Sequence, residues 1–137
     1  MSAPRRRFNT LLDTRFEGRS IELYTLDGEK FMGLVDEVSY NEIGLLVEGV
    51  PIIVPRSAIL YAVTGLSDIH GFGECCDSEF VLDDDFIGSD IVVKLINGHE
   101  MSGRLVKLTR SEIGLVQGNK ALVVPRSSLV YIKIVRR

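Results

Sequence analysis

A tetrapeptide occurs twice in the chain, as Val54-Pro55-Arg56-Ser57 and as Val124-Pro125-Arg126-Ser127, 70 residues apart. The same interval relates Leu12-Asp13 to Leu82-Asp83, Phe16 to Phe86, Gly18 to Gly88 and Ile21 to Ile91. It also relates Gly28 to Gly98, Gly33 to Gly103, Tyr61 to Tyr131, and Glu42-Ile43-Gly44-Leu45 to Glu112-Ile113-Gly114-Leu115, with no gap needed anywhere. A long period seen twice means two copies of one small domain, not a solenoid of short repeats. The chain length of 137 residues would alone suggest one domain. The repeat overrides that prior and gives two units of roughly 55 residues, a size that is marginal alone and usually needs a partner or an oligomer.

Each unit reads as a short helix or turn followed by five short strands. Thr10 to Phe16 predicts a short helix, with Asn9 or Thr10 as its cap, Gly18 ending it, and Leu11, Leu12 and Phe16 on one face. The second copy offers only an acidic turn, Asp83-Asp84-Asp85-Phe86, in the same place. From Ser20 the period becomes two, with Ile21, Leu23 and Thr25 on one strand face and Glu22 and Tyr24 on the other. Asp27-Gly28 and Asn97-Gly98 then predict tight hairpin turns of type I′.

The second strand, from Lys30 to Ser39, carries Gly33 in its interior, and Gly103 matches it. Glycine inside a strand marks a sharp bend or a close approach of backbone. Tyr40-Asn41 and Arg110-Ser111 fall at the next turn. Strand three is Glu42 to Glu48. Strand four is Pro51 to Val54, or Ala121 to Val124 in the second copy. Proline ends it, because it cannot donate to a ladder. Strand five runs from Ile59 to Val63, and from Leu129 to Val135. Five short strands with one long bent member close into a small twisted barrel. The organisation is a basic arm at residues 1–9, a first unit at 10–64, an acidic linker at 65–81 and a second unit at 82–137.

The net charge of −3 is unevenly spread. Residues 1–66 carry seven Lys/Arg against nine Asp/Glu, residues 67–85 none against seven, and residues 86–137 nine against three. The second copy is therefore the one suited to a polyanion, while the overall acidity argues against broad coating of nucleic acid. Nothing approaches the ~18 apolar residues of a membrane span, and no apolar stretch of a signal peptide follows Arg5-Arg6-Arg7. The adjacent Cys75-Cys76 pair poorly with each other and read as reduced thiols of a cytoplasmic protein. A metal site is not expected: there is no Cys-x-x-Cys, and His70 is the one nearby histidine. Neither a nucleophile elbow, a P-loop nor a zinc-protease motif is present, and His99 reads as an exposed turn residue, so neither enzyme activity nor a cofactor is expected.

The ordered set Ile21-Glu22-Leu23-Tyr24-Thr25-Leu26-Asp27-Gly28, then Gly33, then Val54-Pro55-Arg56-Ser57-Ala58-Ile59 resembles the Sm-like family, and within it the bacterial Hfq RNA chaperones. The resemblance covers both copies. In the second Sm motif, Pro55, Arg56 and Ser57 stand where Hfq proteins have Tyr, Lys and His, as do Pro125, Arg126 and Ser127. The usual pore histidine is thus serine in both copies. An aromatic that stacks uracil near the second turn has a counterpart in Tyr40; the second copy offers Arg110, whose planar guanidinium can also stack on a base.

The resemblance implies two tandem Sm-like five-stranded barrels in a mainly β protein. It implies strand four of one unit pairing with strand five of the next until a ring closes. Two units per chain require an even number of units, so three chains forming a six-unit ring are expected and four chains are the runner-up. It also implies single-stranded U-rich or A-rich RNA as partner, met by Tyr40, Asn41, Arg56, Ser57, Arg110, Ser111, Arg126 and Ser127. The alternative is a structural or protein-interaction ring without RNA affinity, in which Arg56 and Arg126 pair carboxylates across unit boundaries.

Overall fold

The alternating segments form strands in both copies. In the first they are β1 (Ser20–Thr25), β2 (Lys30–Val38), β3 (Glu42–Val47), β4 (Val50–Pro55) and β5 (Ile59–Gly65). In the second they are β6 (Asp90–Leu95), β7 (Glu100–Leu108), β8 (Glu112–Gln117), β9 (Lys120–Pro125) and β10 (Leu129–Arg136). The structure, a computed structural model, describes residues 10–66, 69 and 80–137. The basic arm, His70, Phe72 and Cys75-Cys76 lie outside the described residues. Ile21, Leu23 and Thr25 are buried, as are Ile91, Val93 and Leu95, so the period of two puts one face of each first strand in a core.

The turns after the first strands are present, but their geometry differs from type I′. Only Gly28 and Gly98 have positive φ, at 94° and 92°. The Thr25 N–H donates to Glu29 O, and the Gly28 N–H donates to Thr25 O. This is a three-residue loop with a left-handed glycine at its end, the bulge type of hairpin. The Asp-Gly signal specified where the chain turns; the extra residue came from pairing Thr25 with Glu29 instead of its inner neighbours.

The bend expected in the second strand is real. β2 pairs its first half with β1 and its second half with β3, with the register shifting between Val35 and Glu37. A Cβ at Gly33 would fall inside contact distance of Leu46 O, and one at Gly103 would lie 2.9 Å from Val116 O. The neighbouring strand crosses so closely there that a side chain would push it away.

The expected helix over Thr10–Phe16 is a single 3-10 turn, Thr14–Phe16, capped by Asp13, whose carboxylate accepts from the Arg15 N–H. The second copy forms the same turn at Asp84–Phe86, capped by Asp83. The aspartate that both copies share sets this start, and three residues are too few for a longer helix before Gly18 and Gly88, both at positive φ. Leu11, Leu12 and Phe16 are buried together as expected.

All the strands belong to one ten-stranded antiparallel sheet, in the order β10-β6-β7-β8-β9-β5-β1-β2-β3-β4. The join between the copies is β5 against β9, with Ala62 opposite Val123, Val63 opposite Leu122, Thr64 opposite Ala121 and Gly65 opposite Lys120. The join also exchanges core residues. Val123 of β9 lies in the first core with Leu23, Leu45 and Ile59, and Leu60 of β5 lies in the second with Ile91, Leu105 and Leu115. Tyr61 stacks on Tyr24, ring centroids 4.4 Å apart, and the pair packs against the second core. β4 and β10 are left at the two ends of the sheet. Among the described residues no helix is long and apolar enough to cross a membrane, which is a statement about helices only.

Candidate nucleic-acid interface

The Pro-Arg-Ser segments form one-turn 3-10 helices, Arg56–Ala58 and Arg126–Ser128. The φ of Pro55, −60°, and of Pro125, −59°, lies where the ring fixes it, so proline ends the strand and starts the turn. Each turn is tied to the loop after the long second strand. The Arg56 N–H donates to Asn41 O and the Arg126 N–H to Ser111 O, both at 2.8 Å. These bonds bring Tyr40, Asn41, Arg56 and Ser57 together in the first copy, and Arg110, Ser111, Arg126 and Ser127 in the second. Tyr40 is 71% exposed and precedes Asn41, whose carbonyl accepts from the Arg56 N–H. Asn41, Ser57, Arg110, Ser111 and Ser127 are also exposed.

The two arginines are less open. Arg56 donates from Nε to Ser39 O at 3.2 Å, and from one terminal nitrogen to Leu12 O at 2.6 Å and Ser39 O at 3.1 Å. Its other terminal nitrogen stands 4.0 Å from Glu112 Oε2, across the boundary between the copies. Arg126 repeats the pattern, donating to Thr109 O at 3.0 Å and Leu82 O at 3.2 Å, and its guanidinium lies 4.0 Å from the centre of the Phe80 ring. Loss of water pushes both guanidiniums below the ordinary arginine value, and Glu112 partly offsets this for Arg56. Both remain cations at any working pH, because arginine begins so high.

Glu112 is the residue that sequence reasoning did not single out. Its carboxylate is buried and accepts from the backbone N–H groups of Leu11 and Leu12 of the other copy. Burial raises its pKa, while the Leu11 amide, Arg56, the Leu12 amide and Thr109 pull the other way. Glu42, its counterpart in the first copy, is exposed. The signal was present, since both glutamates open the repeated Glu-Ile-Gly-Leu, but nothing local marks one for burial.

Among the described residues no group of three His, Cys, Asp or Glu could hold a metal ion. His99 sits in its exposed turn, with its ring Nδ1 3.2 Å from the Asn97 amide nitrogen. No protein-family model matches the chain, and no curated protein matches it.

Proposed function

We propose that three copies of this chain close a ring of six Sm-like barrels that binds single-stranded U-rich or A-rich RNA, in riboregulation or RNA chaperoning. The observation that carries it is the exposed Tyr40 ring on the loop to which the Arg56 turn is hydrogen-bonded, at the join between two units. An exposed aromatic beside a cation is the elementary device for single strands, since the ring stacks a base and the charge meets the backbone. Arg110 takes the stacking place in the second copy. The excess of basic residues over 86–137 supplies attraction for a polyanion that the first copy lacks.

The ring is supported by the sheet itself. β5 meets β9 inside the chain, and the corresponding β10 and β4 edges end the sheet. Head-to-tail contacts of this kind either close by rotation or grow into a filament. An even number of units follows from two per chain.

A second function has its own support. The bonds of Arg56 to Leu12 and Ser39 carbonyls, with Glu112 nearby, suit a structural cation at the unit boundary. On that footing the ring would hold proteins and not RNA. Binding of fluorescent oligo-U and oligo-A at low and raised salt separates the two. RNA binding gives saturable affinity that weakens steeply with salt, because phosphate contacts release counterions. Absence of binding to either homopolymer at low salt would reject it in favour of the protein ring.

A further inference from the structure

Several equivalent residues of the two copies differ in burial around the internal join, and in each of these pairs the one at the join is the more buried. Leu11 is 1% exposed and its counterpart Val81 90%. Leu60 is 4% exposed and Val130 60%; Val123 is fully buried and Ile53 is 66% exposed. Glu112 is buried and Glu42 is exposed. The buried members lie on or against the β5–β9 join; of the exposed members, Ile53 and Val130 lie on β4 and β10, Glu42 opens β3 opposite Pro55 of β4, and Val81 precedes the 3-10 turn of the second copy. Among the described residues the sheet thus presents two apolar edges without a partner strand, and each is the complement that the other copy already binds within the chain.

We infer that, where β10 of one copy meets the β4 edge of the next in that ring, Glu42 clasps the incoming copy by the backbone N–H groups of its Val81 and Leu82. The inference deepens the ring proposed above and rests on it. The internal join supplies the register. Moving each residue by the repeat interval of 70 places Ile132 opposite Ile53, Lys133 opposite Ile52, Ile134 opposite Pro51 and Val135 opposite Val50. Pro51 removes one donor from β4, so this ladder lacks at most one bond. The same shift turns the Glu112 clasp on Leu11 and Leu12 into a Glu42 clasp on Val81 and Leu82. It brings Arg126, already bonded to Leu82 O, to face Glu42 as Arg56 faces Glu112. Charges complement at the new boundary as they do at the internal one. Val130 and Ile53 then enter neighbouring cores, as Leu60 and Val123 do within the chain.

The test combines light scattering with crosslinking in a Cys75→Ser, Cys76→Ser background. Val50→Cys with Val135→Cys places thiols on two exposed edge positions, so the single chain folds as before. A short bifunctional thiol reagent should join chain to chain through this pair, and fail with the out-of-register pair Ile53→Cys and Val135→Cys. Glu42→Ala should weaken chain association by about tenfold to a hundredfold per junction, because it leaves amide donors buried without an acceptor. Glu29→Ala, at an exposed hairpin, should leave association unchanged. A multi-chain species that crosslinks in register but is indifferent to Glu42→Ala overturns the clasp and spares the ring. A multi-chain species that crosslinks only out of register, or through neither pair, overturns the edge pairing. Wild-type protein that stays a single chain at micromolar concentration overturns the ring and the clasp together.

Discussion

Arg56 and Glu112 face each other across the boundary between the two repeats, with a guanidinium nitrogen 4.0 Å from the Glu112 carboxylate. They do not form an isolated surface pair. Glu112 accepts from two backbone amides of the first copy, and Arg56 donates to two carbonyls of that copy. The boundary is therefore held by the Glu112 carboxylate on two backbone amides and by the Arg56 cation that it faces, in addition to the β5–β9 ladder.

Removing this carboxylate should be costly. Glu112→Ala leaves the Leu11 and Leu12 amides buried without their acceptor, which destabilises by roughly 1–3 kcal/mol for each group. Urea unfolding would measure this as a lower midpoint. Asp90→Ala is the control; its exposed-side partner Arg104 stands 3.8 Å away, and such a pair is worth about 0–1 kcal/mol. Equal losses for both variants would show that the clasp has no energetic role.

Glu112 also sets a sign for the pH dependence. Burial raises its folded pKa above the ordinary 4.5. The proton therefore binds more tightly in the folded state. The stabilisation linked to it is fully present below 4.5 and is lost as pH rises through the raised value. The wild type should lose unfolding free energy over that window relative to Glu112→Gln, whose amide does not titrate. Parallel stability curves for the two proteins would contradict this.

Gly33 and Gly103 should not tolerate alanine equally. The new Cβ meets Leu46 O more closely at Gly33 than it meets Val116 O at Gly103. Both are backbone oxygens in a ladder and cannot swing aside. Gly33→Ala should cost about 1–3 kcal/mol, the range for forced overpacking, and Gly103→Ala less. Thermal unfolding gives the order, and the reverse order would refute the close-crossing account of the bend.

For RNA, Tyr40→Ala should lower affinity for oligo-U or oligo-A by roughly 1–3 kcal/mol without lowering stability, since the ring is exposed. Arg126→Ala should reduce the salt slope by about one, the share of a single phosphate contact. Arg56→Ala should reduce binding less and stability more, because Arg56 also faces the buried Glu112 carboxylate across the unit boundary. Unchanged oligonucleotide affinity in Tyr40→Ala would remove stacking from the proposal.

Light scattering addresses the assembly directly. Three chains are expected at micromolar concentration, and four are the alternative. A mass of one or two chains would reject the closed ring.

Local sequence was enough to set the repeat, the five strands of each copy and the place of each turn. These depend on local properties: alternation at Ile21 and Leu23, left-handed glycine at Gly28, and the fixed φ of Pro55. Boundaries moved by a residue or two, as at β4, which begins at Val50 and includes Pro55. The 3-10 turn in place of a helix reflects the Asp13 cap, whose reach only the folded backbone settles. Tertiary structure alone decided that β5 lies on β9, that Val123 belongs to the first core and Leu60 to the second, and that Glu112 is buried. Glu42 and Glu112 open identical tetrapeptides and meet opposite environments. The physical reason is that spacing along the chain encodes which face of a strand is apolar, whereas burial at an edge depends on a neighbour far away in sequence. Leu11 reaches Glu112 across 101 residues, and no local pattern carries that contact.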